Sequence, residues 1–129
     1  VVPSDAPTTA PRVIARRRPN VEYSVEGGAA HFYIHTNENA PNFKVMRAAF
    51  DATGHEQWQA WLPHRPEVYV EGVLAFKDHV VVQERRDGLR RLAVHDLAGR
   101  SAHEIEFPEA AYGVFLGGNP EFDTRTVRF

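Results

Sequence analysis

Three serines could supply a hydrolytic nucleophile, but none has the surroundings that a nucleophilic serine needs. Ser4, Ser24 and Ser101 all lie outside a G-x-S-x-G motif. That motif works because it holds the serine on a sharp turn between a strand and a helix. We therefore interpret Ser24 as a polar strand residue and Ser101 as a turn residue. The sequence predicts no catalytic residue.

Histidines are the metal-binding side chains considered first, since the chain contains no cysteine. The absence of cysteine removes thiolate catalysis, disulfides and cysteine-based zinc sites together. Among seven histidines, His31 and His35 have the i, i+4 spacing that binds zinc from a helix. On a strand, however, four residues span about 13 Å, which is too far for one ion. We predict no metal site and no cofactor.

Paired carboxylates could support glycoside hydrolysis. Two pairs share a strand face: Glu67 with Glu71, and Glu104 with Glu106. No sugar-binding platform accompanies them apart from Trp58 and Trp61, which we interpret as strand aromatics packed between structural repeats. The glycine pairs at residues 27–28 and 117–118 lack the lysine and the spacing of a phosphate-binding loop.

The charge balance argues against a polyanionic partner. The 129 residues carry 15 Lys and Arg against 17 Asp and Glu, for a formal net charge of −2, which gives no strong field. The basic triplet at residues 16–18 has no aromatic stacking platform beside it, so we interpret it as a solvated turn. No apolar run approaches the ~20 residues of a membrane span, and the first residues lack a signal-peptide pattern. We expect a cytoplasmic protein without nucleic-acid or membrane partners.

The elements that hold these side chains form a repeat. Residues 31–50 have a looser copy at residues 79–97, offset by 48 positions when counted from His31 to His79. Each copy is a β-branched and aromatic stretch, a polar break and a second stretch, which is typical of a hairpin. A self-similar period in the high forties, built from strands, indicates the blades of a β-propeller.

The pattern predicts an all-β fold with two four-stranded antiparallel blades at residues 21–63 and 67–108. The predicted strands of the first blade are residues 21–25, 31–36, 43–50 and 56–62. Those of the second are residues 68–76, 80–85, 89–97 and 102–107. Residues 1–20 are expected to be a linker and the last strand of a preceding blade, at residues 12–15. Residues 110–129 are expected to begin a partial blade with strands at residues 111–116 and 122–129.

Six phrases then carry a resemblance to a known family. They are V-E-Y-S-V (21–25), H-F-Y-I-H-T-N (31–37), N-F-K-V-M-R (42–47), P-H-R-P-E-V (63–68), V-Q-E-R-R-D-G-L (82–89) and G-N-P-E-F-D-T (118–124). Together and in this order they resemble the prolyl oligopeptidase family, and in particular its oligopeptidase B branch. The resemblance covers about residues 11–129.

The resemblance implies a two-part parent enzyme. Such proteins join a seven-bladed propeller, which restricts access, to an α/β-hydrolase domain with a Ser-Asp-His triad. The oligopeptidase B branch cuts oligopeptides after Arg or Lys. No triad residue, oxyanion donor or specificity residue transfers to this chain, because those motifs lie outside it. The implied partners are the hydrolase domain of the same chain and oligopeptide substrates. The inner, channel-lining strands would be residues 21–25, 70–76 and 111–116.

Two other interpretations stay open from the sequence: a propeller scaffold with no enzymatic parent, and a separate β-sandwich binding domain, which the repeat disfavours. Both ends look cut, so we expect a fragment whose outer blade faces lack their neighbours. We expect Val13, Ile14, Phe115 and Phe122 to lie on those faces. Bare apolar faces and unpaired strand edges favour association. We therefore expect self-association of the isolated chain.

Overall fold

Two antiparallel β-sheets of four strands each make up the fold in a computed structural model that describes residues 1–109 and 113–129. The strands of the first sheet are β1 (Tyr23–Gly27), β2 (Phe32–Thr36), β3 (Lys44–Ala48) and β4 (Gln59–Leu62). Those of the second sheet are β5 (Tyr69–Ala75), β6 (His79–Arg86), β7 (Leu89–Asp96) and β8 (Ala102–Glu104). In both sheets each strand pairs with the next one along the chain. The predicted all-β class and the two four-stranded sheets are confirmed.

Turn chemistry explains why the strands reverse where they do. Asp87 and Gly88 both have positive φ, at 52° and 78°, as a two-residue type I′ hairpin turn requires. This turn joins β6 to β7 in unbroken register from His79↔Asp96 to Arg86↔Leu89. The strongest turn signal in the sequence therefore gives the most regular hairpin of the fold.

Two bulges interrupt the ladders and redirect side chains. In the β3–β4 pair, Val45 faces Leu62 and Met46 faces Ala60, so that Trp61 is the extra residue. In the β5–β6 pair, Val70 faces Glu84 and Gly72 faces Gln83, which leaves Glu71 unpaired. A bulge bends its strand and re-aims the extra side chain. Trp61 contacts the second sheet and Glu71 contacts arginines of β6 and β7.

The two sheets pack face to face through a continuous apolar core, called here the seam. Its buried side chains come from both sheets: Tyr33, Val45, Trp61, Leu62, Val70, Ala75, Val80 and Val82. Strand alternation explains this composition, since Val80 and Val82 are two residues apart and point to the same face of β6. The intervening Val81 points to the opposite face and belongs to a different core.

The outer faces of the two sheets are covered by non-strand segments of the chain. Residues 12–18, the N-terminal strap, cover the first sheet, where Ala15 packs with Ile34, Ala48 and Trp58. Residues 114–128, the C-terminal strap, cover the second sheet, where Val114 packs with Phe76, Val81 and Leu92.

Within the described residues, no helix is long and apolar enough to cross a membrane.

Several predicted strands differ from those observed. Residues 12–15 and 122–129 form no strand, and neither do residues 113–116; the rest of the predicted strand at 111–116 lies outside the described residues. The physical reason is pairing, because a strand needs a neighbouring ladder and none of the described residues offers these segments one. The strand predicted at residues 56–62 starts only at Gln59, after a 3-10 turn at His55–Gln57. Ile14, expected to be bare, is 4% exposed because the N-terminal strap folds back.

Candidate functional site at the inner strands and the entry rim

Two parallel rims define the geometry of this pair of sheets. The entry rim carries the loops at residues 37–43 and 63–68 and the turn at residues 87–88, and each sheet both begins and ends there. The far rim carries the loops at residues 28–31, 49–58, 76–78 and 97–101. The edge strands β1 and β5 lie next to one another, and these are the two described strands predicted to line a channel.

At the far rim, a carboxylate joins the two inner strands. Glu26 near the end of β1 accepts a hydrogen bond from the backbone N–H of Ala75 at the end of β5, at 3.1 Å. Burial raises the pKa of Glu26, while the hydrogen bond from Ala75 opposes that shift. A half-buried carboxyl group thus holds together the inner strands of both sheets.

At the entry rim, a histidine makes the matching connection. His35 of β2 donates a hydrogen bond from Nε2 to the carbonyl of Val70 at 2.8 Å, and its ring stacks on Phe43 with centroids 4.5 Å apart. The Val70 N–H in turn donates to the carbonyl of Asn42 at 3.0 Å. Burial lowers the pKa of His35, and the bond to Val70 opposes that shift. The seam is therefore closed by hydrogen bonds at both rims.

Between the rims, Trp61 anchors the seam. The indole N–H donates to the carbonyl of Leu97 in the second sheet at 3.1 Å. The ring lies edge-on to Tyr33 at 4.9 Å between centroids and contacts the His95 ring at 5.3 Å. The bulge makes this possible, because it turns Trp61 toward the same core as Leu62.

A buried polar group lies in the seam beside Trp61. Glu84 is 5% exposed and forms an ion pair with Arg65, which comes from the loop between the sheets. His95 is also 5% exposed, and neither of its ring nitrogens has a hydrogen-bond partner. Burial lowers the pKa of His95, the nearby charge of Glu84 opposes this, and that of Arg65 adds to it. The net effect lowers the pKa of His95, so the folded chain disfavours the charged form of the ring.

A second carboxylate cluster lies on the opposite face of the second sheet. The bulged Glu71 accepts hydrogen bonds from Gln83 at 2.8 Å and from Arg90 Nε at 2.7 Å, and Arg85 lies 3.3 Å away. Burial would raise the pKa of Glu71, but these hydrogen bonds and the two arginine charges hold it below its usual value. The carboxylate is thus ionised and structural.

None of the serines is brought to a general base in the part of the chain that the structure describes. Ser24 is exposed on β1, and Ser4 lies in the exposed N-terminal turn. Ser101 donates a hydrogen bond to Asp96 Oδ2 at 2.7 Å, which closes the β7–β8 turn. Its partner is an exposed turn carboxylate, so the contact is that of a turn.

The other side chains considered for chemistry are separated by the fold. Among the described residues, no group of three or more histidine or acidic side chains could hold a metal ion. Glu104 is paired with Arg86 and Arg91, while Glu106 and Glu67 are exposed. In each predicted pair, one carboxylate (Glu71 or Glu104) forms salt bridges with arginines, and the other (Glu67 or Glu106) is exposed to solvent.

The two tryptophans show where sequence reasoning was half right. The sequence predicted that Trp58 and Trp61 would both pack between structural repeats, and Trp61 does pack between the sheets. Trp58 lies instead beneath the N-terminal strap on the outer face of the first sheet, next to Tyr23 and His55. The sequence reasoning also missed Glu84 and Glu71 as buried or clustered carboxylates. Strand parity could have flagged Glu84, which continues the apolar positions Val80 and Val82, but nothing marked the bulge at Glu71.

The sheets, packed face to face with their inner strands adjacent, are two blades of a β-propeller. The family model described as "Prolyl oligopeptidase, N-terminal beta-propeller domain" matches residues 1–129. The chain belongs to this family of serine peptidases, and it supplies part of the propeller.

Relatives of known sequence agree with that assignment. The chain is 36% identical over 118 residues to dipeptidyl aminopeptidase BI of Pseudoxanthomonas mexicana, covering 91% of this chain and 16% of that protein. It is 25% identical over 128 residues to protease 2 of Moraxella lacunata, covering 98% and 18% of the two chains. The chain thus spans about one sixth of the length of the curated relatives it matches.

Solved structures show the same arrangement. Oligopeptidase B from Leishmania major superposes with a TM-score of 0.68 at 28% identity, covering 77% of this chain and 15% of that one. The closed form of Trypanosoma brucei oligopeptidase B with covalently bound antipain gives a TM-score of 0.82 at 23% identity, covering 89% and 18%. At that identity, the second likeness concerns the fold alone.

Proposed function

We propose that this chain is a non-catalytic propeller segment of a cytoplasmic serine oligopeptidase that cleaves oligopeptides after Arg or Lys. In this proposal it restricts substrate access to the hydrolase domain of the same chain. The observation that carries the proposal is the seam, where β5 is joined to β1 at one rim by Glu26–Ala75 and to β2 at the other by His35–Val70. A wall closed in this way excludes bulky substrates without any bond-making residue.

A second specificity is favoured by one observation. The identity to dipeptidyl aminopeptidase BI is 36%, against 25% to protease 2. The parent enzyme would then release dipeptides from a free N-terminus. The two candidate specificities differ at the substrate N-terminus: cleavage after Arg or Lys tolerates a blocked N-terminus, whereas dipeptide release requires a free one.

Peptide cleavage by the full-length protein separates these candidates. We expect cleavage after Arg or Lys in peptides with acetylated N-termini, with other residues at that position cut far more slowly. Cleavage confined to the second bond of peptides with free N-termini would establish the alternative. The isolated 129-residue chain should cleave neither kind of substrate above background. Fractionation of the source cells, with the protein in the cytoplasmic fraction, tests the proposed location.

Gating is tested by opening the seam. Glu26→Ala in the full-length enzyme removes the carboxylate that accepts the Ala75 N–H. We expect the rate on unfolded casein to rise relative to the rate on a blocked tetrapeptide arginyl amide. The matched control is Ser24→Ala, an exposed position on the same strand, which should leave the ratio unchanged. An unchanged ratio in Glu26→Ala would contradict the gating role of this seam.

A further inference from the structure

The second sheet has an apolar contact of its own on its outer face, where the C-terminal strap packs against it. We call this contact the strap seam. The two sheets can be matched residue by residue at their first turns. The Gly28 N–H donates to the carbonyl of His31 at 2.9 Å, and the Phe76 N–H donates to the carbonyl of His79 at 2.8 Å, 48 positions further along. The strap seam therefore corresponds to the seam, one repeat further along the chain.

The last strands of the two sheets differ by one residue. In the first sheet, the bulge of the β3–β4 pair inserts Trp61 between Ala60 and Leu62. In the second sheet, the β7–β8 ladder runs without a shift to Glu104, and the Ile105 N–H continues it with a bond of 2.8 Å to a carbonyl of β7. No residue is inserted between Glu104 and Ile105, so this strand has no counterpart of Trp61.

A cavity of about 630 Å³ lies in the strap seam beside this point. Val94, His103 and Ile105 line the wall on the side of the sheet, and Val127 lines the wall on the side of the strap. In the seam, the corresponding place beside β4 is filled by the indole of the inserted tryptophan, whose N–H donates to the carbonyl of Leu97 at 3.1 Å. Small-ligand pockets have volumes of roughly 300–1,000 Å³. The repeat thus indicates that an aromatic ring of indole size fits the cavity.

Four polar side chains also line this cavity, and none of them makes a hydrogen bond or an ion pair within residues 1–109 and 113–129. They are Asp78, His79, His103 and Arg125. Asp78 and Arg125 are exposed and carry one charge of each sign. Burial lowers the pKa of His79, the charge of Asp78 opposes this shift, and that of His103 adds to it. A ligand with one positive and one negative group would match the two charges of the cavity wall.

We propose that the cavity of the strap seam binds a free aromatic amino acid. The aromatic ring takes the place that the indole of Trp61 takes in the seam, the α-carboxylate binds Arg125, and the α-ammonium group binds Asp78. A planar guanidinium group suits a carboxylate. Inside a peptide chain an aromatic residue carries neither charged group, so the site selects free amino acids over peptides. The site lies within this chain and does not depend on the proposed peptidase activity.

Isothermal titration calorimetry on the full-length protein at pH 8 tests the ligand class with four probes that share the indole ring. L-tryptophan carries both charged groups, tryptamine only the ammonium group, indole-3-propionate only the carboxylate, and N-acetyl-L-tryptophanamide neither. We expect L-tryptophan to bind about tenfold more tightly than tryptamine or indole-3-propionate, because each of these loses one ion pair. N-acetyl-L-tryptophanamide should bind most weakly. A failure of L-tryptophan to bind, or equal binding of all four probes, would overturn the inference.

Two charge variants test the placement of each group. Arg125→Gln should weaken the binding of L-tryptophan about tenfold and leave that of tryptamine unchanged, since tryptamine has no carboxylate. Asp78→Asn should weaken L-tryptophan by a similar factor and leave indole-3-propionate unchanged. The matched control is Arg128→Gln, at an exposed arginine of the same strap that does not line the cavity, and it should bind every probe as the wild type does. Losses that do not depend on the charge of the probe would contradict the assigned contacts.

Filling the cavity tests its location. Ile105→Trp places a large ring beside the point at which β4 has its extra residue, and we expect it to abolish the binding of L-tryptophan. Thermal unfolding shows whether this variant is folded. Retained binding in a folded Ile105→Trp protein would refute the site. If the variant does not fold, the crossed pattern of Arg125→Gln and Asp78→Asn decides, because both residues are exposed and their substitution leaves the core intact.

Discussion

The two blades share one topology but fill it with different chemistry. In the first blade, the outer face packs Tyr23, Trp58 and His55 against one another under the N-terminal strap. In the second blade, three carboxylates are each held by arginines, and one of these pairs, Glu84–Arg65, is buried in the seam. The strands differ too, with β2 and β3 of five residues against β6 and β7 of eight. Both blades therefore share the alternation of apolar and polar side chains and the positions of the turns, whereas their polar contacts differ.

The largest expected difference between the blades concerns their ion pairs. Glu84→Ala removes a buried carboxylate and leaves Arg65 unpaired. We expect a loss of about 2–3 kcal/mol in the free energy of unfolding, below that of a fully buried pair because Arg65 is 31% exposed. Glu38→Ala in the first blade breaks a more exposed pair with Arg18 and should cost about 0.5–1 kcal/mol. Urea denaturation measures both, and equal losses would remove the contrast.

Trp61 lies on β4 and Trp58 directly precedes it. Substituting each one therefore compares the stability of the seam with that of the outer face of the first sheet. Trp61→Phe leaves the carbonyl of Leu97 without its donor and should cost about 2 kcal/mol. The Trp58 N–H is buried without a partner, so that Trp58→Phe removes an unsatisfied group and should cost about 1 kcal/mol or less. Thermal and urea unfolding of both variants checks the order. A greater loss in Trp58→Phe would place the anchor on the outer face instead of the seam.

Two turns of the second blade differ in whether the first blade touches them. Gly88 and Gly99 both have positive φ, at 78° and 70°, so alanine costs about 1–2 kcal/mol at either position. At Gly99 an added Cβ would lie 2.8 Å from Trp61 Nε1, whereas at Gly88 it meets nothing within 4 Å. We expect Gly99→Ala to exceed Gly88→Ala by about 1 kcal/mol. Gly72→Ala, in open space at ordinary φ, is the control and should change little.

The pH dependence of stability is expected to reflect one histidine from each blade, the half-buried His35 and the buried His95. His35 and His95 have pKa values below their usual 6.5 in the folded state. As the pH falls through 6.5, the unfolded chain binds protons that the folded chain does not, so stability falls. His95→Leu should flatten this profile without loss at pH 8, because its nitrogens have no partner to lose. His35→Leu should also lower the stability at pH 8, because it leaves the carbonyl of Val70 without its hydrogen-bond donor.

The smallest effect expected is association of the isolated chain. The straps cover much of both outer faces, yet Val13, Phe115 and Phe122 remain 64%, 56% and 41% exposed. We expect dimers or larger species at tens of micromolar, held by contacts of modest area. Light scattering that gives only the 14.6 kDa monomer would contradict this. Phe115→Ser with Phe122→Ser should shift the equilibrium toward monomer.

How far the sequence predicted the site depended on whether a signal was local. The eight strands and the Asp87–Gly88 turn followed from alternation, turn residues and the repeat. The bulges at Trp61 and Glu71 did not, because a ladder offset of one residue leaves no local mark. The strands predicted at residues 12–15 and 122–129 are not formed for a related reason, since strand propensity cannot produce a strand without a paired neighbour.

The sequence by itself determined the class of this protein. Period-two alternation fixes which side chains can share a face, and repeated hairpin signals fix how many blades there are, both through local backbone geometry. Only the tertiary structure decided what those faces do. It put Glu84, His95 and Trp61 in one seam, folded the straps over the outer sheets and aligned both entry rims. These outcomes depend on packing between residues far apart in the chain. The hydrogen-bond and ion-pair partners of buried polar groups are distant in sequence, so no local pattern predicts them.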